Sequence, residues 1–166
     1  MYKMDKNIVL IGMPGCGKTT IGKILSKKLG YKFIDVDEYI EENSGKSISQ
    51  LFELGEDYFR ILEMEAVNKL SSEKATVIST GGGVIKNYLN MKELKENGLI
   101  IFIDRDIENI AEDVKVSKRP LLKDGVNKLY EIFNERYELY KKYCDYHVIN
   151  DSSIEEVVKR IMEVIK

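Results

Sequence analysis

The segment GMPGCGKTT at residues 12–20, straight after the apolar run NIVLI, carries the densest chemistry in the chain. Gly12-Met13-Pro14-Gly15-Cys16-Gly17-Lys18-Thr19 fits G-x-x-x-x-G-K-[ST], with a strand-like run before it and a helix-periodic stretch after it. Glycines let successive N–H groups turn inward, and a helix N-terminus adds its positive end, so the segment suits a polyphosphate. In that cradle Lys18 reaches the β- and γ-phosphates of ATP, and the Thr19 hydroxyl binds Mg²⁺. Thr20 belongs to the same nucleotide-binding stretch. Cys16 reads as a small spacer, not a nucleophile.

A phosphate cradle does not name the acceptor. FIDVDEY places Asp35 and Asp37 at the end of a second strand-like run. Two carboxylates at i and i+2 of an extended segment face the same side. One of the two can hold a water of the magnesium shell, and the other can take a proton from an attacking hydroxyl. A helix-capping Asp37 beside a solvated Asp35 is the plainer alternative. After TVIST come Gly81, Gly82 and Gly83, bare backbone that a ligand can approach closely. Arg60, with Glu63 one turn on, and Arg136, with Tyr140 one turn on, offer planar forks for a carboxylate or phosphate. Either arginine alone also suits a surface ion pair. KVSKRPLLKDG reads as a lid over roughly 112–124 that would carry Arg119 to the transferring phosphoryl group, or as a solvated loop. Asp104, at the end of LIIFID, fits a second magnesium carboxylate only superficially, because DRDIENI reads as a loop and a capped helix start. His147, the only histidine, reads as structural.

The elements that must hold these residues alternate. Strand-like runs fall at 7–11, 32–35, 75–79, 99–103 and 146–149. Helical periods fall at 18–29, 37–43, 47–54, 57–70, 91–96, 107–113, 126–143 and 154–165. Gly30, Gly55 and Gly98 occupy C-cap positions, while Ser47 with Gln50 and Ser153 with Glu156 form capping-box patterns. The expected fold is α/β: a five-stranded parallel sheet flanked by helices, in three layers. In such sheets ligands bind beyond the carboxyl ends of the strands, which is where every motif falls.

The chain has 166 residues, one domain's worth by a prior of roughly 150 residues each. It is 43% hydrophobic and 33% charged with net charge −2, so nothing global favours nucleic acid or an anionic membrane. No apolar run nears the ~20 residues of a membrane span, and the N-terminus lacks a separate signal-like apolar region. Two distant cysteines fit reduced thiols in a cytoplasmic protein.

Together GMPGCGKT, DVD, FRILE, STGGG, KRPLL and RYELY resemble, in order and over nearly the whole chain, the shikimate kinases. These belong to the nucleoside-monophosphate-kinase-like P-loop group. The resemblance implies ATP-dependent, Mg²⁺-assisted phosphorylation of the shikimate 3-hydroxyl by a monomeric enzyme of aromatic amino acid biosynthesis. It implies that Asp37 binds the hydroxyls and serves as base, and that Asp35 positions Mg²⁺ through water. Arg60, Arg136 and Gly81–Gly83 would hold the acceptor's carboxylate and ring, with an acceptor-binding helical segment around 37–62, while Arg119 contacts ATP phosphate. One departure is Glu112, where the family often has an adenine-packing arginine. Either Lys115 takes that place or the contact is weaker; the adenine-side loop falls around Asn150–Ser153. Gluconate or a nucleoside monophosphate is the alternative acceptor, though no D-G-x-P-R segment of the adenylate kinase type is present. A non-catalytic nucleotide switch is the alternative class.

Overall fold

The computed structural model of the chain describes residues 5–116 and 125–166. Arg119 and most of the expected lid lie outside these residues; its first part, 112–116, is helical.

Five parallel strands form one sheet: β1 (Asn7–Ile11), β2 (Lys32–Asp35), β3 (Thr76–Ser79), β4 (Gly98–Asp104) and β5 (Tyr146–Ile149), in the order β2-β3-β1-β4-β5. The three inner strands read as near-continuous apolar runs because helices cover both faces. The edge strands are wetter. KFID and YHVI each expose residues at solvent, and Lys32 on the outer edge pairs with Glu73.

Helices fill the crossovers: α1 (Lys18–Leu29), α2 (Val36–Ser44), α3 (Ile48–Glu53), α4 (Glu56–Leu70), α5 (Tyr88–Glu96), α6 (Ile107–Val116), α7 (Val126–Tyr143) and α8 (Ile154–Val164). A short 3₁₀ turn, Val84–Lys86, follows the glycine run. Helix α1 starts from Gly17, left-handed at φ 103°, and buries Ile21 and Leu25 one turn apart against the sheet. Its Gly22 lies against Phe33 of β2; an added methyl would sit 2.6 Å from the ring.

Several local expectations are corrected. Asp35 and Asp37 do not share an extended segment. The helix begins at Val36, whose side chain is buried, so Asp35 becomes its N-cap and accepts from the Glu38 N–H at 3.1 Å. Strand β3 lies between β2 and β1. Gly30 does close α1, but Gly55 begins α4 at φ 124° rather than ending α3, and Gly98 is the first residue of β4. Gly45, left-handed at φ 71°, closes α2 instead. The Ser47–Gln50 capping box is complete. Ser153 accepts from the Glu156 N–H, while the Glu156 carboxylate lies 4.0 Å from Arg160.

Candidate active site

The first strand–helix turn is shaped by close approach. Gly12 runs at φ 150° under the end of β4, where a methyl group would meet the Ile103 carbonyl oxygen at 2.5 Å and Cys16 Sγ at 2.8 Å. Only glycine lets the loop pass there. Lys18 is folded into the loop it follows: Nζ donates to Gly12 O at 2.7 Å and Met13 O at 3.0 Å, and the residue is 8% exposed. A buried ammonium held by carbonyls sits at the mouth of the cradle, ready to exchange those partners for phosphate oxygens. Cys16 is wholly buried, in keeping with a spacer.

Thr19 Oγ1 donates to Asp35 Oδ2 at 2.9 Å, so the loop's hydroxyl and the cap carboxylate of α2 form one polar pair. Among the described residues no group of three or more His, Cys, Asp or Glu could hold a metal by itself. One hydroxyl and one carboxylate suit Mg²⁺, which keeps most of its waters and leans on substrate phosphates.

Next to the loop opens a cavity of about 430 Å³. It brings together Pro14 from the loop, Asp37, Arg60, Arg136 and the run Gly81–Gly83. Position in the sheet explains this convergence. Strand β3 stands between β1 and β2, so its glycine run emerges between the phosphate loop and the Asp35–Asp37 turn. Thr80 pins the run down by donating both N–H and Oγ1 to Leu10 O, at 3.2 and 2.7 Å. None of the three glycines is left-handed; they are needed for space. A methyl at Gly81 would lie 2.9 Å from Asp37 Oδ1, and one at Gly83 2.5 Å from Arg60 Nη2. Gly82 O accepts from the buried Tyr140 hydroxyl at 2.6 Å, which ties the run to α7.

Asp37 sits in the first turn of α2 with Oδ1 enclosed and unpartnered. Burial, reinforced by the carboxylates of Asp35 and Glu63, raises its pKa from 3.8 to about 7, against the opposing pull of Lys18. A carboxyl poised there is matched to proton transfer near neutral pH.

The guanidinium of Arg60 is oriented from three sides. Its Nη1 donates to Glu63 at 2.9 Å, its Nε to Glu56 at 3.2 Å, and its carbon lies 5.2 Å from the Phe59 ring centre. Arg136, nearly buried on α7, leaves its Nε without a partner. Glu63, 1% exposed, is the counter-charge of this wall; burial raises its pKa while Arg60 and Arg136 hold it down.

Sequence reasoning noted Glu63 only as a neighbour of Arg60, and on the loop's other flank it missed Arg105. Arg105 Nη1 donates to Gly15 O at 3.0 Å, and Asn150 Nδ2 donates to Cys16 O at 2.9 Å. An arginine directly after a strand that ends beside the loop is the available signal for Arg105. Asn150 does lie in the loop expected on the adenine side. Asp104 accepts from Tyr137 and contacts His147 Nε2 at 2.7 Å, so both serve a structural cluster, as read for His147.

A family model described as Shikimate kinase matches residues 14–166. A shikimate kinase of Clostridium botulinum strain Alaska E43 is 52% identical over 162 residues, covering 98% of each chain. Among solved structures, the shikimate kinase from Acinetobacter baumannii in complex with shikimate superposes with a TM-score of 0.92 at 33% identity, covering 98% of this chain and 93% of its own. The shikimate kinase from Aquifex aeolicus gives 0.83 at 43% identity, covering 95% and 94%. With its parallel sheet, phosphate loop and adjoining acid–arginine cavity, the chain belongs to the shikimate kinase family.

Proposed function

We infer that the chain transfers the γ-phosphoryl group of ATP to the 3-hydroxyl of shikimate, giving shikimate 3-phosphate and ADP. One observation carries the reading. A single cavity beside the phosphate loop is lined by a carboxyl of raised pKa, the oriented guanidinium of Arg60 and a second guanidinium at Arg136. This is what a small hydroxylated carboxylic acid requires, and the relative from A. baumannii was solved with shikimate. A passive nucleotide switch has no use for a tuned carboxyl.

In this reading Arg60 and Arg136 grip the acceptor carboxylate, and the bare backbone of Gly81–Gly83 lets its ring lie close. Asp37 orients the 3-hydroxyl and accepts its proton as the oxygen attacks. Lys18 and the N–H groups of the phosphate loop absorb negative charge on the phosphoryl oxygens, with Arg119 brought in by the lid around 112–124. Thr19 and, through water, Asp35 would hold Mg²⁺, which would supply neutralisation of the phosphate charge. Positioning and electrostatics supply most of the rate. The segment around 37–62 is the acceptor-binding part of a single domain. Among the described residues no helix is long and apolar enough to cross a membrane. Free Cys16 and Cys144 fit a reducing, cytoplasmic setting. A coupled ADP-release assay with shikimate, gluconate or no acceptor tests the assignment. Shikimate-dependent release supports it, and equal or faster turnover of gluconate refutes it.

A further inference from the structure

The phosphate loop and the acceptor cavity are built from distant parts of the chain, yet phosphoryl transfer needs them at one fixed separation. A misplacement of ~1 Å can cost about 10²-fold in rate. The run Gly81–Gly83 is where the two meet. Gly82 lies so close to the phosphate loop that a methyl there would sit 2.8 Å from Pro14 Cδ. Its carbonyl oxygen accepts from the Tyr140 hydroxyl at 2.6 Å, and that same hydroxyl lies 4.0 Å from Met13 Sδ of the loop. A single oxygen on α7 therefore touches the acceptor wall and the donor loop together.

Tyr140 is itself rigidly placed. It is wholly buried, with its ring centre 5.2 Å from that of Phe102. Phe102 is the β4 partner of Ile11, the residue that leads into the phosphate loop. Arg136 stands one turn earlier on the same face of α7, and its charge lies beside the Tyr140 hydroxyl. Burial raises the pKa of that hydroxyl against the pull of Arg136, so it keeps its proton and stays a donor. Gly82 also lines the acceptor cavity, so its carbonyl can turn to water there once the donor is gone. The hydroxyl is thus dispensable for burial and decisive for where the glycine run lies.

We propose that Tyr140 is a positioning residue for phosphoryl transfer. Its hydroxyl fixes the glycine run and Arg136 relative to the phosphate loop, so that the acceptor hydroxyl, and not water, meets the γ-phosphoryl group. The assignment rests on the kinase reading above and adds to it the side chain that sets the spacing between donor and acceptor.

Tyr140→Phe removes one oxygen and keeps the ring. We expect kcat with shikimate to fall about 10- to 100-fold. The KM for shikimate and the affinity for ADP by calorimetry should each change by less than about threefold, since neither grip is removed. The decisive readout is the ratio of ADP released to shikimate 3-phosphate formed. Wild type should produce the two in equal amounts, whereas the variant should release ADP in excess. There water attacks the γ-phosphorus in place of the displaced acceptor: a P–O bond to water forms, the bond to the ADP oxygen breaks, inorganic phosphate leaves and the proton passes to solvent. Equal amounts from the variant, whatever its rate or melting temperature, would make Tyr140 a packing residue and overturn the proposal. A loss of ADP affinity as large as the loss in kcat would overturn it too, as would failure of the variant to fold. A wild type without shikimate-dependent ADP release would remove the kinase reading itself, which no behaviour of the variant can do.

Discussion

Replacing Asp37 with Asn should make the ligand-free protein more stable while nearly silencing it. The enclosed carboxyl has its pKa raised from 3.8 to about 7. A raised carboxyl pKa means that the folded state holds the proton more tightly than the unfolded chain does. The associated stability is fully present below about pH 4 and is lost as pH rises through 7. At pH 8 the ionised Asp37 therefore costs the fold up to about 4 kcal/mol, from roughly three pH units at 1.36 kcal/mol each. Asparagine has the same shape and no charge to bury. Because its amide also meets the enclosed surroundings of Oδ1, we expect about half of that ceiling to be realised, ~2 kcal/mol. For a domain of this length that is a rise in Tm of roughly 4–8 °C. Thermal melts followed by circular dichroism at pH 8 and at pH 4 would measure it. The gap should nearly close at pH 4, where the folded wild type is protonated and the unfolded chain roughly half so. Turnover should meanwhile fall about 10²- to 10⁴-fold, with the loss in kcat rather than in KM for shikimate. A variant no more stable than wild type at pH 8, or one equally stabilised at both pH values, would refute the account of Asp37 as a strained, proton-hungry acid.

Other outcomes follow from the same geometry. Lys18→Ala should lower turnover by about 10³-fold with the fold intact, and retention of a tenth of the activity would contradict the cradle. In the wild type kcat/KM for shikimate should climb with pH and level off above about 7, as Asp37 ionises; a flat profile from pH 5 to 8 would mean that another group takes the proton. Gly83→Ala should raise the KM for shikimate with little change in Tm, because the new methyl displaces the movable guanidinium of Arg60 rather than backbone. Arg136→Ala should cost roughly 10- to 150-fold in kcat/KM for shikimate but little more when shikimate methyl ester is the substrate, since the ester has already lost the charge that Arg136 grips. Additive losses would place Arg136 elsewhere.

What was legible in the sequence was what is local in the chain. The phosphate loop is contiguous, and its glycines, lysine and threonine carry their meaning in their spacing; the strands and most helices show through their periods. The failures came where a neighbour in space decides. Asp37 and Asp35 exchanged their expected geometry because Val36 is drawn into the core and starts a helix between them. Gly55 looked like the end of one helix and proved to be the start of the next, since only Leu54 and Gly55 separate α3 from α4. Glu63 has no spacing that marks it as the counter-charge of two arginines, one of them on a helix some seventy residues further on. Arg105 resembled any surface arginine between two aspartates until its hydrogen bond to Gly15 was visible.

The permuted strand order has a consequence for synthesis. The phosphate loop is complete in sequence by residue 19, yet β1 must pair with both β3 and β4, and Gly12 is shaped by the carbonyl of Ile103. During translation these first twenty residues therefore wait for the stretch through residue 104 to leave the ribosome before the cradle has walls. Contacts of such sequence separation slow folding, and nucleotide can stabilise only a chain that already has its central sheet. ATP is thus a late guest of the nascent chain, rewarding completed assembly rather than seeding it.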